Sequence, residues 1–264
     1  MYMFDGKDLT SIIGAFICLL FAFADREAEA APEPDGNAYV NLVKANFLAA
    51  EARYRSHPAE IEAAWQFGRA CFDRADISTN NTERASIAEQ GIAACEAAVG
   101  RAPRLAVVHY YLGMNWAQLA QTGGLGALKI VNRMEKEFGL ARELDENLDF
   151  AGPDRNLGLL YRDAPSVVSV GSRKKALQSL QRAVDLAPQY PENRLNLIEA
   201  CLKWNDRARA LSELRALGSV WPSARTNLTG VAWIASWADW DQRLGKARKQ
   251  LGQSPPPPGP EKNP

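Results

Sequence analysis

The chain has 264 residues, 47% of them hydrophobic and 23% charged, and its Lys+Arg and Asp+Glu totals tie at 31 each. That much apolar material excludes wholesale disorder, and the balanced charge gives no overall field for nucleic acid, whose phosphates need clustered cations. The length fits one elongated domain of stacked helices.

Residues 11–24 are an apolar run, shorter than the ~20 residues of a spanning helix, and Ala28-Glu-Ala30 supplies small residues for cleavage. Residues 1–30 therefore read as a secretory signal peptide and the protein as exported, periplasmic or secreted, with no integral span after cleavage. An uncleaved N-terminal membrane anchor is the alternative, because Lys7 lies between Asp5 and Asp8 and not in a basic cluster. Ile17 ahead of Cys18 argues against lipidation. An amphipathic helix is predicted over 38–55, with Tyr39, Val43, Ala45, Phe47 and Ala50 as its apolar positions.

Four segments then repeat: Ala98-Val-Gly-Arg-Ala-Pro103, Ala141-Arg-Glu-Leu-Asp-Glu146, Ala183-Val-Asp-Leu-Ala-Pro188 and Leu217-Gly-Ser-Val-Trp-Pro222. Each puts a small or apolar residue five positions before a helix-stopping proline, with Glu146 replacing it once. Upstream lie Gly91 and Cys95, Met134 and Phe138, Ala176 and Leu180, and Ala210 and Leu214, spaced to stack one face of a second helix. First helices carry Phe67-Gly68, Leu112-Gly113 with Trp116, Leu157-Gly158 with Tyr161 and, more loosely, Leu197-Ile198 with Cys201.

This pattern resembles the tetratricopeptide repeat (TPR), and the resemblance implies an all-α solenoid of about four helical hairpins. Three units are longer than the ~34-residue TPR period. Their insertions are predicted as a loop over 76–84, a turn over 122–126 and a loop over 164–171 whose valines pack against the body. The insertions resemble those of regulator-of-microtubule-dynamics proteins and of exported bacterial TPR proteins, on Trp65-Gln-Phe-Gly-Arg69, His109-Tyr-Tyr-Leu-Gly113, Gly124-Leu-Gly-Ala-Leu-Lys129, Leu157-Gly-Leu-Leu-Tyr161 and Ala187-Pro-Gln-Tyr-Pro-Glu-Asn-Arg-Leu-Asn-Leu197. After Pro222, Trp233, Trp237 and Trp240 mark capping helices. The repeat domain is expected over 31–252, and the proline-rich 253–264 is expected to be a disordered tail.

No catalytic constellation, cofactor motif or metal-ligand spacing stands out. His57 reads as a solvated loop residue and His109 as a structural histidine, to be reconsidered if a buried carboxylate lies beside it. Gly123-Gly-Leu-Gly126 before Lys129 lacks the strand and the Gly-Lys-Ser/Thr ending of a phosphate loop. Asp145-Glu-Asn-Leu-Asp149 lacks the glycine and terminal glutamate of a calcium loop and reads as a solvated helix end. Cys71, Cys95 and Cys201 read as buried small residues, with a Cys71–Cys95 pair as the alternative.

The resemblance implies a concave groove lined by first-helix side chains, namely Trp65, Arg69, Tyr110, Met114, Arg155, Arg162, Glu199 and Lys203. A non-enzymatic binding or scaffold protein that recognises a protein or peptide follows from it, with a small-molecule-binding accessory of a periplasmic uptake system as the second reading. The sequence leaves the oligomeric state open.

Overall fold

The computed structural model describes residues 36–123 and 127–253, so the predicted signal segment, the second half of the 122–126 turn and the proline-rich tail lie outside the described residues. Among the described residues there are ten α-helices and no strand: α1 (Gly36–Ser56), α2 (Ile61–Asp76), α3 (Asn81–Arg101), α4 (Ala106–Gln121), α5 (Ala127–Leu144), α6 (Leu148–Asp163), α7 (Arg173–Leu186), α8 (Pro191–Lys203), α9 (Arg207–Asn227) and α10 (Ile234–Leu251). A short 3-10 turn, Val231–Trp233, precedes α10. Of these helices, none is long and apolar enough to cross a membrane.

The hairpins form as the sequence pattern requires. Side-chain caps start three second helices: Asn80 Oδ1 accepts from the Thr82 and Glu83 amides, Ser172 caps α7 and Asp206 caps α9. The recurring glycines allow each pair to close. A Cβ on Gly113 would lie 2.7 Å from Phe138, one on Gly158 would lie 2.6 Å from Leu180, and one on Gly68 would collide with Cys95 Sγ. Between the paired helices lies a continuous series of cores, from Phe67, Cys71 and Ile87, through Leu112, Met134 and Phe138, to Leu195, Leu217 and Trp240.

Several expectations change. The loop predicted over 76–84 is only residues 77–80, because α3 extends back to Asn81. Ala45 is exposed, while Tyr39, Val43, Phe47 and Ala50 are buried or half-buried. The loop after α6 exists, but Val167 is 93% and Val168 59% exposed, and Val170 is the valine that packs inward. Pro222 does not stop α9. Its ring and the Gly218 carbonyl it leaves without a donor are on the solvent side, where water can satisfy the carbonyl. The last turns instead carry Trp221 onto Trp237, at 5.3 Å between ring centroids, and bury Ala224. Packing outweighs the ~3 kcal/mol that a mid-helix proline costs.

The layer arrangement positions the site. First helices α2, α4, α6 and α8 stand side by side, α10 continues the layer, and α1 packs on α2 while also meeting α10 and the 3-10 turn. The inner layer closes on itself through the contact of α1 with α10, and the repeat's concave face becomes its inner wall.

Candidate functional site

Each first helix presents one stripe, at three- and four-residue spacing, to the inner wall. On α2 it runs Trp65, Arg69, Asp73, Asp76, and on α4 Tyr111, Met114, Gln118. The stripe on α8 is Glu192, Asn196, Glu199, Lys203. The wall has two chemically distinct halves.

In the N-terminal half the charges are sparsely satisfied. The Trp65 and Tyr111 rings stack at 6.1 Å, the exposed Arg69 guanidinium lies 6.0 Å from the Tyr111 ring, and Met114 is half-buried beside them. Asp73 has a single long ion pair, 3.8 Å to Arg69, and 35% of its side chain meets solvent although protein surrounds it. Desolvation, with Asp76 and Asp149 adding to it and Arg69 opposing, pushes its carboxyl up to about 6. Asp76 is raised by the same burial; the hydrogen bond from Gln118 (3.0 Å) opposes this and Glu192 reinforces it. Such shifts concentrate in functional clefts.

In the C-terminal half the charges are consumed by one another. Arg243 donates to both Glu199 oxygens at 2.7 and 2.9 Å, to Asn196, and to Asp239 at 3.2 Å. Glu199 also meets Arg162 at 3.4 Å, Arg162 clamps Asp163, and Lys203 donates to Asp163 at 2.9 Å. Desolvation pushes the Asp239 carboxyl up to about 6 against the opposing pull of Arg243.

The most unusual backbone lies between the halves. Asp149, Phe150 and Ala151 adopt left-handed φ of 50°, 55° and 62°, which costs a non-glycine residue on the order of 1–2 kcal/mol each. Arg155 holds this turn: it pairs with the Asp149 carboxylate at 2.6 Å and donates to the carbonyls of Asp149 and Phe150 at 3.1 and 3.2 Å. Asn193 Nδ2 donates to the same Phe150 carbonyl, and Tyr110 Oη to Asp149 at 2.5 Å. The predicted solvated helix end is thus partly a built turn. It projects Phe150, stacked 4.5 Å from Tyr190, into a rim pocket of about 640 Å³ lined also by Leu186, Pro188, Asn227 and Leu228.

Of the eight residues expected on the groove, Trp65, Arg69 and Met114 line the sparsely satisfied half, and Arg162, Glu199 and Lys203 belong to the internal network. Tyr110 and Arg155 are buried and hold the left-handed turn. Sequence reasoning missed Asp73, Asp76, Tyr111, Asp149 and Arg243. Continuing the Trp65–Arg69 stripe by one and two turns finds Asp73 and Asp76; Asp149 and the following Gly152-Pro153 are turn signals that were available in the sequence, but Phe150 and Ala151 do not mark a left-handed backbone.

The condition set for His109 is met, because Glu137 lies 2.6 Å from its Nδ1 in a buried pair. The hydrogen bond to Glu137 raises the His109 pKa. Its Nε2 is bonded to the Pro103 carbonyl at 3.0 Å, so neither nitrogen is free to act on a substrate. His57 is exposed in the α1–α2 turn. All three described cysteines are buried and free. Among the described residues no group of three or more His, Cys, Asp or Glu is arranged to hold a metal ion.

No family profile matches the chain, and no curated protein sequence matches it. The structure is similar to that of a thermophilic TPR protein of Thermus thermophilus, at 18% identity and a TM-score of 0.56, over 80% of this chain and 95% of that one. The helical hairpins thus have the TPR fold, an architecture whose stacked repeats create extended concave binding surfaces.

Proposed function

We propose that the protein is a non-enzymatic binding or scaffold module whose recognition surface is the N-terminal half of the inner wall. One observation carries this reading: Trp65, Arg69, Asp73, Tyr111 and Met114 form a mixed aromatic and charged surface whose charged groups share only one long ion pair, 3.8 Å between Arg69 and Asp73, among the described residues. Aromatic rings and arginine are the usual anchors of interfaces. The ligand is a protein segment that offers a cation to Asp73 and an apolar side chain to the Trp65–Tyr111 stack.

The test is a charge exchange: co-purification with wild type is compared with Arg69→Glu combined with Asp73→Lys. The reading expects loss of the specific partner with an unchanged melting temperature, and identical partner profiles would sink it. Export, read from residues 11–30, is a separate proposal that N-terminal sequencing of the mature protein tests.

The rim pocket favours a second reading, a small-molecule-binding accessory. Its volume of about 640 Å³ suits a small ligand, and the strained turn aims Phe150 into it. A thermal-shift screen that finds no small ligand sensitive to Phe150→Ala would discard it.

A further inference from the structure

The ends of the helices in the C-terminal half gather on one rim. Ser172 N donates to Tyr161 O, which ties the start of α7 to the end of α6. Lys203 Nζ donates to Arg162 O at 3.0 Å, which brings the end of α8 to the same place, and Arg207 Nη1 donates to Gln250 O at 3.0 Å, which sets the start of α9 beside the end of α10. The loop between α6 and α7 crowns this rim with Val167 and Val168 exposed at its tip.

The exposed charge beside those valines is of one sign. Arg173, Lys174, Arg207 and Lys249 are exposed and join no ion pair among the described residues. The acids nearby are committed: Asp163 is buried between Arg162 and Lys203, Asp206 caps α9, and Glu135 pairs with Lys175 at 3.3 Å. Arg173 lies 5.6 Å from the ring of half-buried Trp204, so an indole also sits at this edge. In a chain with no net charge, the rim is a local basic face with an apolar tip.

We infer that this rim docks peripherally on an anionic lipid bilayer, with Val167 and Val168 entering the interface and Arg173, Lys174, Arg207 and Lys249 meeting the headgroups. Charge selects the lipid class, since each Lys or Arg near an anionic surface contributes on the order of a fivefold gain in binding. The two valines select a bilayer over a soluble polyanion, because a polyanion has nothing apolar to receive them.

The full chain is tested with vesicles of phosphatidylcholine containing roughly 30% phosphatidylglycerol, an anionic surface of the kind that attracts basic segments, and with phosphatidylcholine alone. Binding is expected to the anionic vesicles, to weaken roughly thirtyfold in Arg173→Gln with Lys174→Gln, and to weaken in Val167→Ser with Val168→Ser. Both pairs are exposed, so the melting temperature should not move. A second readout works even if another segment also holds the chain to vesicles: an environment-sensitive dye on Val167→Cys, in a chain carrying Cys18→Ser so that the remaining native cysteines are the buried ones, should shift to the blue with anionic vesicles only. An unshifted dye, or variants that bind as wild type does, would overturn the inference. Equal binding of a soluble polyanion by wild type and the valine variant would assign the face to polyanions instead.

Discussion

The two halves of the inner wall are built from the same repeat and dispose of their charges differently. Beyond Asp149 nearly every inner charge is answered by another: Arg155 by Asp149, Arg162 by Asp163, and Arg243 by Glu199 and Asp239. Before it, Arg69 and Asp73 share one 3.8 Å contact and face solvent. The contrast shows that position on the concave stripe does not by itself leave a side chain available. A buried arginine tied to several partners is part of the framework, whereas a half-exposed one beside an aromatic stack remains available to a ligand.

The largest expected effect tests the framework half. Arg155→Met leaves the Asp149 carbonyl without the guanidinium donor and takes one of two donors from the Asp149 carboxylate, which keeps Tyr110, and from the Phe150 carbonyl, which keeps Asn193. Because the Asp149 side chain is 38% exposed, solvent screens part of the loss and the cost is about 2–3 kcal/mol. The melting temperature should fall by roughly 5–10 °C, given ~2–4 °C per kcal/mol for a domain of this size. A fall of only a degree or two would move Arg155 to the available side of the comparison.

A medium effect is expected at His109. The hydrogen bond to Glu137 raises the His109 pKa, so the charged pair contributes fully below the unfolded value of ~6.5 and is lost as pH rises through the folded value. The Glu137 pKa is lowered, although its burial acts in the other direction, so its part of the stabilisation is lost on acidification below the ordinary glutamate range. Urea unfolding of wild type and His109→Gln should differ most between about pH 5 and 6.5 and converge at higher pH. A difference that does not vary with pH would mean that the pair is neutral.

The smallest effect has the opposite sign and sharpens the contrast. Asp73 is raised to about 6, so its ionisation weakens the fold increasingly from the unfolded value of ~3.9 upward and fully above about 6. Asp73→Asn should therefore stabilise the protein slightly at about pH 7.5, with the gain fading as pH falls from about 6 toward ~3.9, while partner binding weakens. Loss of stability at the higher pH would place Asp73 with the framework carboxylates.

How much of this could be read in the sequence follows from the range of the interactions. The hairpins were legible because Gly68, Gly113 and Gly158 recur where helices must approach closely, and their spacing is local. The exposed Val167 and the helical Pro222 were misread, since both depend on what a distant segment offers: among the described residues none covers the first, and Trp237 draws Trp221 past the second. Ring closure by α1 against α10 joins the two ends of the described chain and leaves no local mark. For the same reason the groove residues could be placed on their stripe but not divided into framework and surface.

The division itself is tested most directly by site-specific photo-crosslinking in the native host. A photoreactive phenylalanine analogue is placed at Met114 on the available half and, in a second protein, at Leu159, half-buried on α6 in the framework half. The account expects a specific crosslinked partner from Met114, reduced by Arg69→Glu, and little from Leu159. Equal crosslinking from both positions, or a partner captured only from Leu159, would contradict it.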